Sequence, residues 1–302
     1  MANTAYSQEY PFGAPTVSGS NITVDMMLAQ PTRINAYLSD LALKNYFANR
    51  IFSNGGGLSG GALIYSQLTA NDLFPTRGVQ KVVPGAEFPE VTFDRPTPLT
   101  KQVEKYGGKF PVTDEARDRN DMGFLRNEAD KLSNDIVRTI HAVAIAELEA
   151  AITAFSSDLL ITGTSWADAA ALTLTTTANN ILPTADFATV NKKAAQTELG
   201  VTYNLWIVNP QELANFQVVY GDRWRAVLDA WNMDMIASNQ VTAGTAYVVE
   251  EGRVGQQRTE KPLSTVTFRK EEIQSTYVQS DIRVLYAVTN PYSALKVQGL
   301  AA

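Results

Sequence analysis

Residues 99–121 read LTKQVEKYGGKFPVTDEARDRND, and the change of character inside this stretch decides how the rest of the chain is read. Its first part, Leu99–Tyr106, is β-like. Its second part gathers Asp114, Glu115, Asp118 and Asp121 in the opening turns of a helix, where the positive end of the dipole favours negative charge. Downstream, Leu125, Ala129, Leu132, Ile136, Ile140, Val143, Leu148, Ile152 and Phe155 recur mostly at spacings of three and four. That is one apolar stripe. Over residues 120–155 it predicts a helix of roughly 35 residues, about 50 Å at 1.5 Å per residue. A coiled coil would keep a stricter heptad, so a spine lying across a sheet is expected, with a separate first turn near Gly123.

Upstream the chain changes again. Residues 53–110 hold Pro75, Pro84, Pro89, Pro96 and Pro98 and many glycines. β-like pieces fall at Ala62–Gln67, Gly78–Val83, Glu90–Phe93 and Leu99–Tyr106. Pro84-Gly85-Ala86-Glu87-Phe88-Pro89 reads as a turn between the middle two. Such a ribbon has too little apolar content for a core and is marginal alone, so it is expected to lie on another surface. Residues 1–35, with Pro11, Pro15 and Pro31, read as a polar arm ordered by a neighbour. Ile34, Leu38, Leu41, Asn45 and Ala48 trace a short amphipathic helix ending near Phe52. Residues 156–260 are mixed: a helix at Ala188–Leu199, a strand at Leu205–Val208, Asn209-Pro210, a helix at Gln211–Tyr220 and a strand at Ala246–Glu250. The end is β-rich, with Thr265–Arg269, Ile273–Val288 and Ala294–Val297.

Composition narrows the chemistry. Of 302 residues, 45% are hydrophobic, enough for a core, and only 19% are charged. That is below the ~25% usual for soluble domains, and it suits a surface buried against copies of itself. The net charge of −6 argues against a phosphate-gripping surface. With no cysteine and one histidine, His141, disulfides, thiol nucleophiles, Cys-ligated zinc and His-based triads lack parts. His141 is expected to be packed or on the surface. Gly55-x-Gly57-x-x-Gly60 formally matches a dinucleotide fingerprint. That motif needs a strand before it and a helix after it, whereas here a helical segment precedes and a strand follows, so a hinge is expected. The acidic groups at Asp114/Glu115/Asp118/Asp121, Glu250/Glu251 and Glu271/Glu272 lack the alternation of a calcium loop and are expected on solvated faces. No metal, cofactor or catalytic residue is expected. The N-terminus lacks a secretory signal, and the apolar run Ala142–Ala146 stops at Glu147, far short of a membrane span. The chain reads as soluble and made inside a cell.

Taken in order, this layout resembles the HK97-type major capsid proteins of tailed phages, over nearly the whole chain. The firmest part is residues 99–121, similar to the family's passage from an extended loop into its spine helix, through Lys105, Gly107 and Val112-Thr113-Asp114-Glu115. ELGVTYNLWIVNPQELANF, residues 198–216, resembles the helix–strand–Asn-Pro–helix unit of the family's apical domain. DIRVLYAVTNPYSALKVQG, residues 281–299, resembles its closing pattern. The resemblance implies an α+β fold of the HK97-like kind: an N-arm (1–35), a short helix (36–52), an extended β-hairpin loop (53–110), a peripheral domain with a long spine helix (111–155 and 261–289), and an apical α/β domain (156–260 and 290–302). It implies a non-enzymatic subunit that self-assembles into the icosahedral shell around double-stranded DNA. Intersubunit contacts are expected at Lys81, Gly85, Glu87, Phe88 and Arg95. Expected partners are copies of itself in pentamers and hexamers, a portal, a decoration or cement protein, DNA touched without sequence preference, and a scaffolding protein. The scaffold is expected as a separate chain because only about 35 residues precede the first helix. The place of action would be the virion, after synthesis in the bacterial host cytoplasm. An encapsulin-type compartment subunit is the alternative; its N-terminal helix is replaced here by a Pro-rich arm.

Some members of the family link a loop lysine covalently to a peripheral-domain asparagine with help from a glutamate. Aligned on Arg283, Gln274 stands at the asparagine and Asp281 at the glutamate. Both depart from the pattern, so no link is expected. Boiled assemblies should therefore run as one band at the mass of a single chain on a denaturing gel; a ladder of higher bands would contradict this.

Overall fold

The computed structural model describes residues 23–44, 46–69, 75, 77–91, 97–172 and 178–301. Their strands in chain order are β1 (Phe52–Gly57), β2 (Ala62–Ser66), β3 (Pro98–Gln102), β4 (Glu104–Thr113), β5 (Leu160–Thr162), β6 (Leu205–Val208), β7 (Asp234–Ala237), β8 (Thr245–Val249), β9 (Gly255–Lys270), β10 (Ser275–Val288) and β11 (Ala294–Gln298). The chain forms two compact units. The first draws on Met1–Tyr46, Val103–His141 and Thr259–Val284, the second on Phe47–Gln102, Ala142–Arg258 and Leu285–Ala302.

In the first unit, β4 pairs antiparallel with β10 from Glu104↔Val284 to Thr113↔Ser275. Phe110 and Val112, two residues apart, point to the same side and are buried; Val278 stands opposite Phe110. At Gly107 a Cβ would lie 2.8 Å from the Cα of Asp281, so the two strands approach as only glycine permits. The Thr113 hydroxyl then accepts the Ala116 amide at 3.3 Å and caps the helix Asp114–Asp118. The Asp121 carboxylate accepts the Phe124 amide at 2.9 Å and opens the 33-residue helix Met122–Ala154. The separate turn is thus Asp114–Asp118, and Gly123 lies inside the long helix. Leu125 and Ala129 pack with Phe110, Val112 and Val278 and with Val24, Leu28, Ile34 and Leu38 in one cluster. Each large aliphatic side chain buried there contributes about 1.5–3 kcal/mol.

That cluster corrects the reading of the N-terminal region. Residues 1–22 and Asn45 lie outside the described residues, but the last residues of the expected polar arm fall in the helices Val24–Leu28 and Pro31–Lys44, which pack in the unit's own core. The Thr23 hydroxyl accepts the Met26 amide at 3.3 Å, and Asn120 takes the Val24 amide at 2.8 Å. Pro31, read as a turn residue, stands first in its helix, where its missing N–H costs nothing. The expected 36–52 helix is two helices, Pro31–Lys44 and Ala48–Ile51, and Phe52 already begins β1.

The second unit holds a five-stranded sheet in the order β5-β11-β8-β6-β7, with β6 buried along its whole length. After β6, the Asn209 side chain accepts the Gln211 amide at 3.0 Å, and Pro210 opens the next helix. Trp166, Phe187, Trp206 and Phe216 fill the space against the sheet. Asp186 is buried among them, accepting Trp166 Nε1 at 2.7 Å and the Thr164 amide at 3.0 Å. The helices Trp166–Ala171 and Trp224–Ala230 and strand β7 were not anticipated.

The same unit carries β2 and β3, paired antiparallel from Ala62↔Gln102 to Ser66↔Pro98. Gly78–Val83 forms no strand, nor do the described residues of Glu90–Phe93; Pro84 and Pro89 remove amide donors there. The expected strand Leu99–Tyr106 is split, and residues 104–110, expected in the loop, belong to β4, because Tyr106, Gly108 and Phe110 carry the alternation that faces the core.

Ile140 is 5% exposed on the buried side of the long helix. Ile140→Asp would bury an unpaired charge, and soluble folded protein should be lost; a variant with the parent's circular dichroism spectrum and melt would show the helix register to be wrong.

Candidate interaction surfaces

The loop beyond β2 ends in a compact, uncovered tip. The Ala86 amide donates to the Val83 carbonyl at 3.1 Å, with Pro84 in the second position and Gly85 in the third at φ +87°. This is a type II turn, whose third residue needs positive φ. Phe88 is 83% exposed, Val79 87% and Val83 65%. Lys81 and Glu87 are exposed on the same segment, and Arg95 lies outside the described residues. The loop base is fastened by an ion pair from Lys101 to Glu147 of the long helix.

The two crosslink-related positions are not brought together. Gln274 sits at φ +45° in the turn that joins β9 to β10, and its carbonyl accepts the Asp114 amide at 3.1 Å. Asp281 is seven residues along β10, roughly 23 Å away at ~3.3 Å per residue. It is buried, clasped by Lys261 Nζ at 3.0 Å and 3.1 Å, with Lys105 Nζ at 3.9 Å. A carboxylate held this way is occupied as an ion-pair partner.

A third surface was not found by sequence reading. The sheet face of the first unit turned away from Phe110 and Val112 carries Tyr277, stacked on Phe268 with ring centroids 5.5 Å apart and planes at 11°. The ammonium groups of Lys109 and Lys270 lie 5.3 Å and 5.2 Å from the centre of the same Tyr277 ring. The legible signal was alternation on β4 and β10, which sets Lys109 and Pro111 beside Gln279 and Tyr277.

Other candidates resolve into structural roles. Gly55 and Gly57 lie in β1, between the helix Ala48–Ile51 and β2, so no helix N-terminus follows to meet a phosphate. Asp114 pairs with Arg269 at 2.7 Å. Glu250 is buried, a correction to the solvated face expected of it, and accepts the Ser293 hydroxyl at 3.2 Å. Glu251 pairs with Arg50 at 2.6 Å. Among the described residues no cluster of three His, Asp or Glu side chains could hold a metal ion, and no helix is long and apolar enough to cross a membrane.

The family model described as phage capsid protein matches residues 96–297. No curated protein matches the sequence. Among solved structures, a virus-like particle from Pyrococcus furiosus is similar at a TM-score of 0.59 with 12% identity, over 88% of this chain and 98% of that one. The structure from Microbacterium phage Oxtober96 matches at 0.59 with 11% identity, over 84% and 90%. That from Mycobacterium phage Adephagia matches at 0.56 with 13% identity, over 85% and 89%.

His141 is buried and stacks on Tyr46 at 5.4 Å between centroids, and burial pushes its pKa down to about 4. The unfolded chain protonates this ring from its ordinary value of 6.5, the folded chain only near 4. The stability that the neutral ring contributes is therefore present above pH 6.5 and lost as pH falls towards 4. His141→Phe keeps a ring against Tyr46 and removes the titration. Melts of unassembled protein should show a shallower decline over that window for the variant; identical slopes would contradict the assignment.

Proposed function

This chain belongs to the phage capsid protein family, as a shell subunit of the virion, and from that premise we propose that its copies close into the icosahedral shell around the phage's double-stranded DNA. The observation that carries the proposal is the loop tip. Val79, Val83 and Phe88 are exposed together on a segment with no core of its own, and apolar surface of that kind gains about 25 cal/mol per Å² when a second copy covers it. The contact is heterologous: a tip on one copy meets a different surface on the next. Repeated by rotation, such contacts close into the pentamers and hexamers of a shell.

Lys81, Gly85, Glu87, Phe88 and Arg95 are the loop residues assigned to this contact, with residues 53–102 as the extended loop. The spine and the β4–β9–β10 sheet act as the peripheral domain and the five-stranded sheet as the apical domain. Synthesis takes place in the host cytoplasm. A separate scaffolding protein, a portal and a decoration protein complete the set of partners, and the role is structural rather than enzymatic. DNA is contained rather than read, consistent with the net charge of −6. The encapsulin alternative shares the fold; the match to the phage capsid family favours the virion subunit, while the argument from a Pro-rich arm falls because the region is helical from Val24.

Deleting Val83–Glu90 tests this reading. The variant should stay soluble and melt near the parent's temperature while light scattering shows shell formation blocked or badly weakened. Unfolding of the subunit would place the loop in the core, and normal shells would remove it from the contact.

A further inference from the structure

We propose that Asn54 is a site of spontaneous covalent modification: in the folded chain its side-chain amide deamidates through the backbone nitrogen of Gly55. The proposal goes beyond the shell-subunit reading and does not depend on it. It gives a chemistry to the glycine-rich segment that the dinucleotide fingerprint leaves unexplained. Asn54-Gly55 is the only Asn-Gly pair in the sequence. An asparagine side chain can close a succinimide ring on the next amide nitrogen, and glycine, with no Cβ, leaves that nitrogen open to approach.

Asn54 is exposed in β1, an outer strand of its sheet beside β9, so water reaches the side chain. The Gly56 amide donates to Asn54 Oδ1 at 2.9 Å, with Gly56 at φ +82°, a conformation that glycine adopts without strain. That bond polarises the side-chain carbonyl and stabilises the negative charge that gathers on Oδ1 as the nitrogen attacks. The other end of the amide, Nδ2, forms no hydrogen bond among the described residues, so nothing holds the group that must leave. On the attacking side, a Cβ at Gly55 would stand 2.5 Å from Arg258 Nε, which places the guanidinium against this peptide unit. Through its side chain Arg258 bonds Gln256 Oε1, at 3.2 Å and 3.0 Å, and it pairs with no carboxylate among the described residues. Its charge favours loss of the Gly55 amide proton, the step that makes the nitrogen a nucleophile. The Gly55 nitrogen then bonds Cγ of Asn54, the Cγ–Nδ2 bond breaks, and ammonia leaves with the proton that the nitrogen lost. Water, the only other reactant, opens the ring at either carbonyl and gives aspartate or isoaspartate. Either product sets a new negative charge near an arginine that lacks a carboxylate partner, and isoaspartate routes the main chain of β1 through one extra methylene.

Incubating the purified full chain in heavy-oxygen water at mildly alkaline pH, followed by peptide mapping, tests this. Folded protein should take up the heavy oxygen at residue 54 roughly tenfold faster than at any other asparagine, because no other is followed by glycine. The product should be a mixture of aspartate and isoaspartate; aspartate alone would mean direct hydrolysis and overturn the ring. Circular dichroism on the same sample shows whether the chain stays folded. Uptake at residue 54 only in urea-unfolded chain, or faster uptake at another asparagine of the folded one, would overturn the proposal. Gly55→Ala should slow uptake roughly tenfold by setting a Cβ beside the attacking nitrogen. Because that Cβ also displaces Arg258, Asn54→Gln serves as a second variant: it keeps the glycine, demands a larger ring and should abolish uptake in that peptide. Undiminished uptake in either variant counts against the site. Arg258→Gln should slow uptake severalfold, and an unchanged rate would remove the guanidinium from the account.

Discussion

The antiparallel pairing of β4 with β10 is the constraint on which the first unit depends. Ten residues of each strand are in register, and Gly107 lets them approach at the point where any larger residue would meet the backbone of Ser280 and Asp281. That pairing turns Phe110, Val112 and Val278 to one side, where Leu125 and Ala129 of the long helix and the helices of residues 24–44 complete a core. It also fixes what stands on the other side: Tyr277, Phe268, Lys109 and Lys270. The core and this aromatic, cationic face are thus two sides of one sheet, as an antiparallel sheet with only one covered face allows.

The loop is governed by the opposite condition. Its prolines remove amide donors, its strands are short, and among its described residues Ile64, Val79, Val83 and Phe88 stay in water. A segment of this kind is held at its base, by β2–β3 pairing and the Lys101–Glu147 contact, and free at its tip. Low charge density on the chain as a whole fits a protein whose surface is largely spoken for by neighbours.

Much of the fold was legible because its period was strong. The stripe from Leu125 to Ile152 locates the long helix nearly to its ends, and Leu205–Val208 with Asn209-Pro210 locates β6 and the helix after it. What failed was where local chemistry outweighed composition. Pro31 looked like arm and is a helix start; Leu99–Tyr106 looked like one strand and is two, the second reaching Thr113. Glu250 looked solvated and is buried against Ser293, a partner 43 residues away that no local pattern reveals. The contact positions proposed in the loop follow from its composition, whereas the Tyr277 face sets Lys109 of β4 over that ring, in the β9–β10 hairpin more than 150 residues further along the chain. That juxtaposition exists only once β4, β9 and β10 have paired.

The central claim is that this chain builds a closed shell by placing its loop tip on a neighbour. Electron microscopy of the purified full chain addresses it most directly. Closed particles of uniform diameter are expected, with density for the loop tip lying on an adjacent subunit. Only monomers across a range of salt and protein concentrations, or shells in which each tip packs within its own subunit, would contradict it.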